Sequence, residues 1–210
     1  MLLTVTSIEM FGNDKKKSAV YLNNEFAFAL YKKEISEYKL DEGVCIEEEL
    51  LNRIMSEKLL PRAKKRGMYL LQSMDRTESD MRRKLLDGGY PEEAIDGAIE
   101  YLKSFRYIDD YRYSCDYIHF KSASMSKKQI YNKLLAKGIA KDTIEQALCE
   151  FHETNECQED ELILQLMHKR CKAGLTELSY EERQKLFAYL YNKGFSISDI
   201  ERVYNENCLT

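Results

Sequence analysis

Apolar and polar residues alternate in Thr4-Val5-Thr6-Ser7-Ile8-Glu9-Met10, the pattern of a strand with one face buried. Two further apolar runs, Ser18-Ala19-Val20-Tyr21-Leu22 and Glu25-Phe26-Ala27-Phe28-Ala29-Leu30, flank Asn23-Asn24. Asparagine tolerates a positive φ, so this pair predicts a two-residue hairpin turn. From about Ile46 the period becomes helical and stays so to the end of the chain.

Within the helical part, three glycines bring a repeat into register: Gly89, Gly138 and Gly194. Four residues before each stands a leucine (Leu85, Leu134, Leu190), and eight before stands Met81, Ile130 or Leu186. Tyr90, Ile139 or Phe195 follows at once, then Ile95, Ile144 and Ile200 at six after, and Ile99, Leu148 or Tyr204 at ten after. Apolar residues four apart share one helix face. A glycine beyond the helix end accepts the left-handed conformation that closes it. Thr77-x-x-Asp80, Ser126-x-x-Gln129 and Ser179-x-x-Glu182 read as N-terminal caps for the first helix of each pair. The third cap lies three residues early, which predicts a helix one turn longer. Pro91 with Glu92 and Glu93 suits the start of the second helix. One more helical stretch precedes each pair, at about 59–73, 110–123 and 158–173.

The pattern therefore predicts a mainly α fold: three tandem three-helix repeats forming a curved array, behind a small β-hairpin-containing N-terminal segment. The expected divisions are 1–55 (β-rich segment with a leading helix), 56–105, 106–152 and 153–210. A unit of this size buries little alone, so neighbours are expected to share a core.

Composition adds limits. Nine glycines and two prolines in 210 residues argue against a long β-meander. No apolar stretch approaches the ~20 residues of a membrane helix, and the N-terminus lacks the features of an export signal. The six cysteines then read as reduced thiols, and the protein as cytoplasmic and monomeric. The net charge of −4 hides segregation: residues 58–84 hold nine Lys/Arg against three acids, residues 121–141 six lysines and no acid, and residues 142–161 eight acids and no Lys or Arg.

Candidate chemistry is sparse. No phosphate-cradling loop, Ser/His/Asp set or nucleotide fingerprint occurs, so no enzyme activity, catalytic residue or cofactor is expected. Cys149-x-x-His152, Cys157 and His168-x-x-Cys171 have zinc-compatible types, but Cys149 directly follows core residue Leu148, and structural thiols account for them better than a metal. Asp109-Asp110 before Arg112-Tyr113 reads as ordinary helix-start chemistry, with Tyr113 entering the core. Tyr107, Tyr111, Tyr113 and Tyr117 are read as packing residues between units. The basic side chains remain. With Met81, Leu85, Ile130 and Leu134 facing inward, Arg82, Arg83, Lys127 and Lys128 face outward, and Lys84 and Lys133 occupy equivalent repeat positions. The candidate partner- or DNA-binding set is Arg76, Arg82, Arg83, Lys84, Arg112, Lys127, Lys128 and Lys133. Such residues suit nucleic-acid phosphates or an acidic protein groove.

The segments Arg76–Leu85, Gly89-Tyr90, Tyr107–Tyr113, Ile130–Leu134 and Lys137-Gly138-Ile139 resemble, in order and spacing, the RecX family. The resemblance covers 59–148 and extends to the last unit by the repeat. The N-terminal hairpin is similar to the extension of many Gram-positive members. Ser124-Met125-Ser126 stands where the family commonly has a glycine before the second capped helix, and Ser114 where it commonly has alanine. The resemblance implies a regulator of the RecA recombinase that binds the RecA filament on single-stranded DNA. It would inhibit filament extension, ATP hydrolysis and strand exchange, with direct DNA contact at most weak. The alternative is a helix-turn-helix DNA-binding regulator, suggested by the glycine-containing connections between paired helices.

Overall fold

A computed structural model describes residues 3–154, 158–171, 174–176 and 178–208. The chain divides into two compact units, Met1–Asp109 and Asp110–Thr210.

The first unit begins with a four-stranded antiparallel sheet in the order β3-β2-β1-β4. Its strands are β1 (Leu3–Phe11), β2 (Asp14–Leu22), β3 (Glu25–Tyr31) and β4 (Cys45–Ile46). The turn between β2 and β3 has Asn23 and Asn24 at φ +50° and +70°, as the asparagine pair predicts. Val5, Val20, Phe28, Leu30, Leu40 and Ile46 are buried on one side. The short β4 and helix α1 (Lys32–Glu37) carry too few residues to show a period.

Next, α2 (Glu48–Ile54), a π-helical turn (Met55–Leu59) and α3 (Leu60–Leu71) run on as one continuous helix. Proline inside a helix clashes with the carbonyl four residues back. The turn before Pro61 widens accordingly, with Leu60 N–H reaching Met55 O. The expected division at residue 55 thus falls within a helix, and the sheet and first repeat form one unit. Three contacts fasten α1 to this helix: the Glu34–Arg62 ion pair, Lys58 Nζ to Glu37 at 2.9 Å, and Tyr38 Oη donating to Glu57 at 3.0 Å. Burial, reinforced by Glu57, pushes the Tyr38 phenol up to about 12.

The first repeat consists of α3, α4 (Glu78–Leu86) and α5 (Glu92–Ser104). Helices α3 and α5 approach closely through reciprocal notches. A Cβ on Gly67 would lie 2.6 Å from Leu102 Cδ1, and one on Gly97 would lie 2.8 Å from Leu60 Cδ1. The second unit holds α6 (Asp110–Lys121), α7 (Lys127–Ala136) and α8 (Lys141–Thr154), then α9 (Gln158–Arg170), α10 (Tyr180–Asn192) and α11 (Ile197–Cys208). Among the described residues, the three repeats account for nine helices and no strand lies beyond Ile46. α10 has 13 residues against nine in α4 and ten in α7, the extra turn predicted by the early Ser179 cap.

All three glycines have the predicted conformation, at φ +81°, +80° and +94°. In every copy the N–H after the glycine reaches back to the leucine carbonyl: Tyr90 to Leu85, Ile139 to Leu134 and Phe195 to Leu190, at 3.3–3.4 Å. The glycine N–H bonds to Leu86, Leu135 or Tyr191 O at 2.8–2.9 Å, completing the Schellman closure. The caps also form: Thr77, Ser126 and Ser179 hydroxyls accept from Asp80, Gln129 and Glu182 N–H.

Expectation and structure part over the core. The second and third repeats have distinct apolar clusters, one around Ile118, Ile130, Leu134 and Ile144, the other around Ile163, Leu186, Leu190 and Ile200. Polar contacts join them. Ser126 Oγ, buried, donates to Lys193 O at 2.7 Å, and Lys127 N–H donates to the Glu159 carboxylate at 3.1 Å. A Cβ on Gly194 would stand 2.8 Å from that hydroxyl. Serine at 126 thus both caps α7 and holds the closing turn of α10. In the first unit the glycine turn meets the sheet: Ala29 N–H donates to Gly89 O at 2.8 Å, and a Cβ on Gly89 would lie 2.5 Å from Ala29 Cβ. Lys17 Nζ reaches Gly88 O at 3.3 Å amid the rings of Phe11, Tyr31 and Tyr90, and burial lowers its pKa.

Two outcomes follow for urea-denaturation measurements. Gly12 has φ +53° with nothing near its missing Cβ, so Gly12→Ala meets only the left-handed penalty of about 1–2 kcal/mol. Gly89→Ala adds the collision with Ala29 and Phe11, so it is expected to lose roughly twice as much or more; equal losses would show that the sheet does not press on this turn. Ser126→Ala removes a cap, worth about 1 kcal/mol, and leaves the Lys193 carbonyl short of its donor, about 1–3 kcal/mol more. It should therefore destabilise clearly more than Ser179→Ala, whose cap is exposed.

Candidate interaction surface

The candidate basic residues divide into two kinds according to what stands beside them. Just before α4, Arg76 bonds Asp80 at 2.6 Å with its side chain only 14% exposed, and its Nε is buried without a partner. Arg83, 68% exposed, pairs with the other oxygen of Asp80. Arg82 bridges Glu78 at 2.9 Å and Asp96 on α5 at 2.6 Å, while Lys103 reaches Glu78 at 2.7 Å. Burial raises the pKa values of Asp80 and Glu78, but hydrogen bonds from Arg76 and Arg83, and from Lys103 and Arg82, outweigh it and hold both carboxyls below their usual range. Outward-facing Arg82 and Arg83 were expected; Arg83 fits, whereas Arg82 lies against α5 in a network that ties the helix pair together. Sequence spacing reveals the i,i+4 partner Glu78 but not Asp96, which arrives only when α5 folds back.

The other kind, Lys84, Lys128 and Lys133, has no such compensation among the described residues. Lys84 on α4 and Lys128 and Lys133 on α7 have no ion-pair partner among the described residues, and the two α7 lysines are exposed. Lys127 is half-buried at the first turn of α7, and Arg112 is exposed on α6. Ser114, where alanine is common in the resembled family, is fully buried but satisfied, its hydroxyl donating to Asp110 O at 2.7 Å. Asp110 opens α6, as expected. Tyr111, Tyr113 and Tyr117 pack on the core of the second repeat itself, where packing between units was expected. Tyr107 departs from its predicted packing role, being 49% exposed.

Of the residues weighed for zinc, Cys157 lies outside the described residues. Among those described, no group of three or more His, Cys, Asp or Glu side chains is placed to hold a metal ion. One basic feature lies outside the candidate set: α3 carries Arg62, Lys64, Lys65 and Arg66 without an acid. The run Lys64-Lys65-Arg66 is visible in the sequence, but its surroundings are not.

The comparisons with known proteins agree with this architecture. The first, second and third three-helix domains of RecX match residues 63–102, 109–148 and 158–204 in order. A regulatory protein RecX of Clostridium beijerinckii is 30% identical over 192 residues, covering 91% of this chain and 90% of that protein. One from Clostridium acetobutylicum is 29% identical over 206 residues, covering 97% and 95%. Among solved structures, a crystal structure of regulatory protein RecX is similar with a TM-score of 0.65 and 25% identity, covering 97% of this chain and 99% of its own. The RecX of Lactobacillus salivarius, 23% identical with a TM-score of 0.65 over 72% of this chain, shares the fold. With three domains matched in chain order and relatives aligned over nine-tenths of their length, this chain belongs to the RecX family.

Proposed function

We propose that the chain is a non-enzymatic cytoplasmic regulator that binds the RecA filament on single-stranded DNA and restrains its extension, ATP hydrolysis and strand exchange. Family membership supports the regulatory role. The observation that carries the site is the contrast between compensated and uncompensated cations. Arg76, Arg82 and Arg83 spend their charge on Asp80, Glu78 and Asp96. Lys84, Lys128 and Lys133 leave theirs to an external acidic or polyanionic surface. The action is steric and electrostatic. A protein of net charge −4 does not coat DNA indiscriminately, so uncompensated lysines contacting a shaped partner fit better than general DNA binding.

The test is inhibition of single-stranded-DNA-dependent ATP hydrolysis by the cognate RecA at substoichiometric amounts of this chain. Changing Lys84, Lys128 and Lys133 together to Glu should leave folding stability within roughly 1–2 kcal/mol, since exposed charge changes usually stay within ~0.5 kcal/mol each. The same variant should raise the concentration needed for inhibition tenfold or more. Inhibition by the unaltered protein should weaken with added salt. Changing the exposed Glu145 and Glu153 to Gln should leave inhibition largely intact. Arg82→Glu should instead lower stability, because it places like charge against Glu78 and Asp96. A normally folded triple-lysine variant that inhibits at unaltered concentrations would show these lysines to be solvated faces only.

A further inference from the structure

The end of α5 repeats the closing motif of the other helices with two differences. Tyr107 N–H reaches back to Leu102 O at 2.8 Å and Arg106 N–H to Lys103 O at 2.9 Å, the same pair of bonds as at the three glycine turns. Here, however, the left-handed residue is Arg106, at φ +55°, a conformation that disfavours a side chain by about 1–2 kcal/mol. The residue that folds back is also not buried: Tyr90, Ile139 and Phe195 are at most 4% exposed, but Tyr107 is 49% exposed. Its ring lies beside that of Phe105, itself 57% exposed, with centroids 5.9 Å apart and planes within 18°. Tyr101 extends the group at 4.9 Å from Phe105. Strain is thus retained where it presents two near-parallel rings to solvent.

Two further features adjoin these rings. A shallow cavity of about 280 Å³ opens between Tyr107 and Met68, Leu71 and Gln72 at the end of α3. Along α3, Lys64 places its ammonium 4.9 Å from the Tyr101 ring centre, and Lys65 beside it is exposed. Neither lysine has an ion-pair partner among the described residues, and α3 has no acid to compensate them. Flat exposed rings offer a π-face that any base can stack on, and adjacent unpaired cations match the phosphates that link the bases.

We propose that Phe105 and Tyr107 form a stacking site for an unpaired nucleobase of single-stranded nucleic acid, with Lys64 and Lys65 receiving the flanking phosphates. This site is separate from Lys84, Lys128 and Lys133 and does not depend on their proposed role. It recognises bases without a sequence preference, because ring stacking reads no hydrogen-bond pattern.

The chain contains no tryptophan, so Phe105→Trp supplies a sole indole at the site. Titrating that full-length variant, without RecA, with an oligothymidylate of about 16 nucleotides should quench the indole emission. A strand of the same length and phosphates but with abasic sites should not. In the otherwise unaltered chain, Phe105→Ala with Tyr107→Ala should weaken oligothymidylate binding about tenfold or more, the usual loss for removing a stacking ring, while thermal melting stays unchanged. Lys84, Lys128 and Lys133 changed to Glu in the Phe105→Trp background should leave the quenching in place, which separates this site from the proposed filament contact. Equal binding of the abasic strand, or unaltered oligothymidylate affinity in the double alanine variant, overturns the assignment. So does absence of quenching, which would leave the rings as a docking face for a protein segment.

Discussion

A single backbone hydrogen bond, repeated three times, sets the geometry of the helical part. The amide of Tyr90, Ile139 or Phe195 bonds the carbonyl of the leucine five residues earlier, and it can do so only because the intervening glycine takes a positive φ. That bond stops one helix, drives an apolar side chain back onto its end and sets the direction in which the next helix leaves. The buried leucine and the buried isoleucine six residues past the glycine then meet in one core. The turn also has an outer side. In the first unit it receives the sheet through Ala29, and in the second it receives the Ser126 hydroxyl. A left-handed residue without a Cβ is thus both a chain reversal and a docking platform.

The regular parts of this arrangement were legible in the sequence because they depend on spacing. Leucine, glycine and isoleucine offsets, cap residues three before a polar partner, and Asn23-Asn24 between apolar runs all encode local backbone conformation. Other features depend on partners that spacing does not bring together. β4 is two residues long and exists because Leu3 and Thr4 lie opposite it. The widened turn before Pro61 is an accommodation, not a pattern. The joint between the second and third repeats was expected to be apolar. It includes instead a hydroxyl and a carbonyl 67 residues apart in the chain, and serine is compatible with either reading.

The same distinction governs the candidate surface. In the sequence Arg82 and Lys84 look alike, since both lie in one charged run. Folding separates them: Arg82 finds Asp96 across the helix pair, while Lys84 finds no acid among the described residues. Charged residues that close a helix pair make it cohere at modest energetic gain, because such pairs remain partly hydrated. Those left over define where the molecule is electrostatically unfinished. Composition alone cannot sort the two groups.

The unbroken helix from Glu48 to Leu71 has a mechanical meaning. At 1.5 Å per residue it is a rod on the order of 35 Å long. Its middle is clamped to α1 through Glu57, Lys58 and Arg62, and its later part carries Lys64 and Lys65 and packs on α5. A flexible tether would let the sheet swivel while the first repeat stayed still. A continuous helix instead couples the two, so a displacement of the sheet is carried toward the basic face of α3. The N-terminal extension is geared to the first helical repeat.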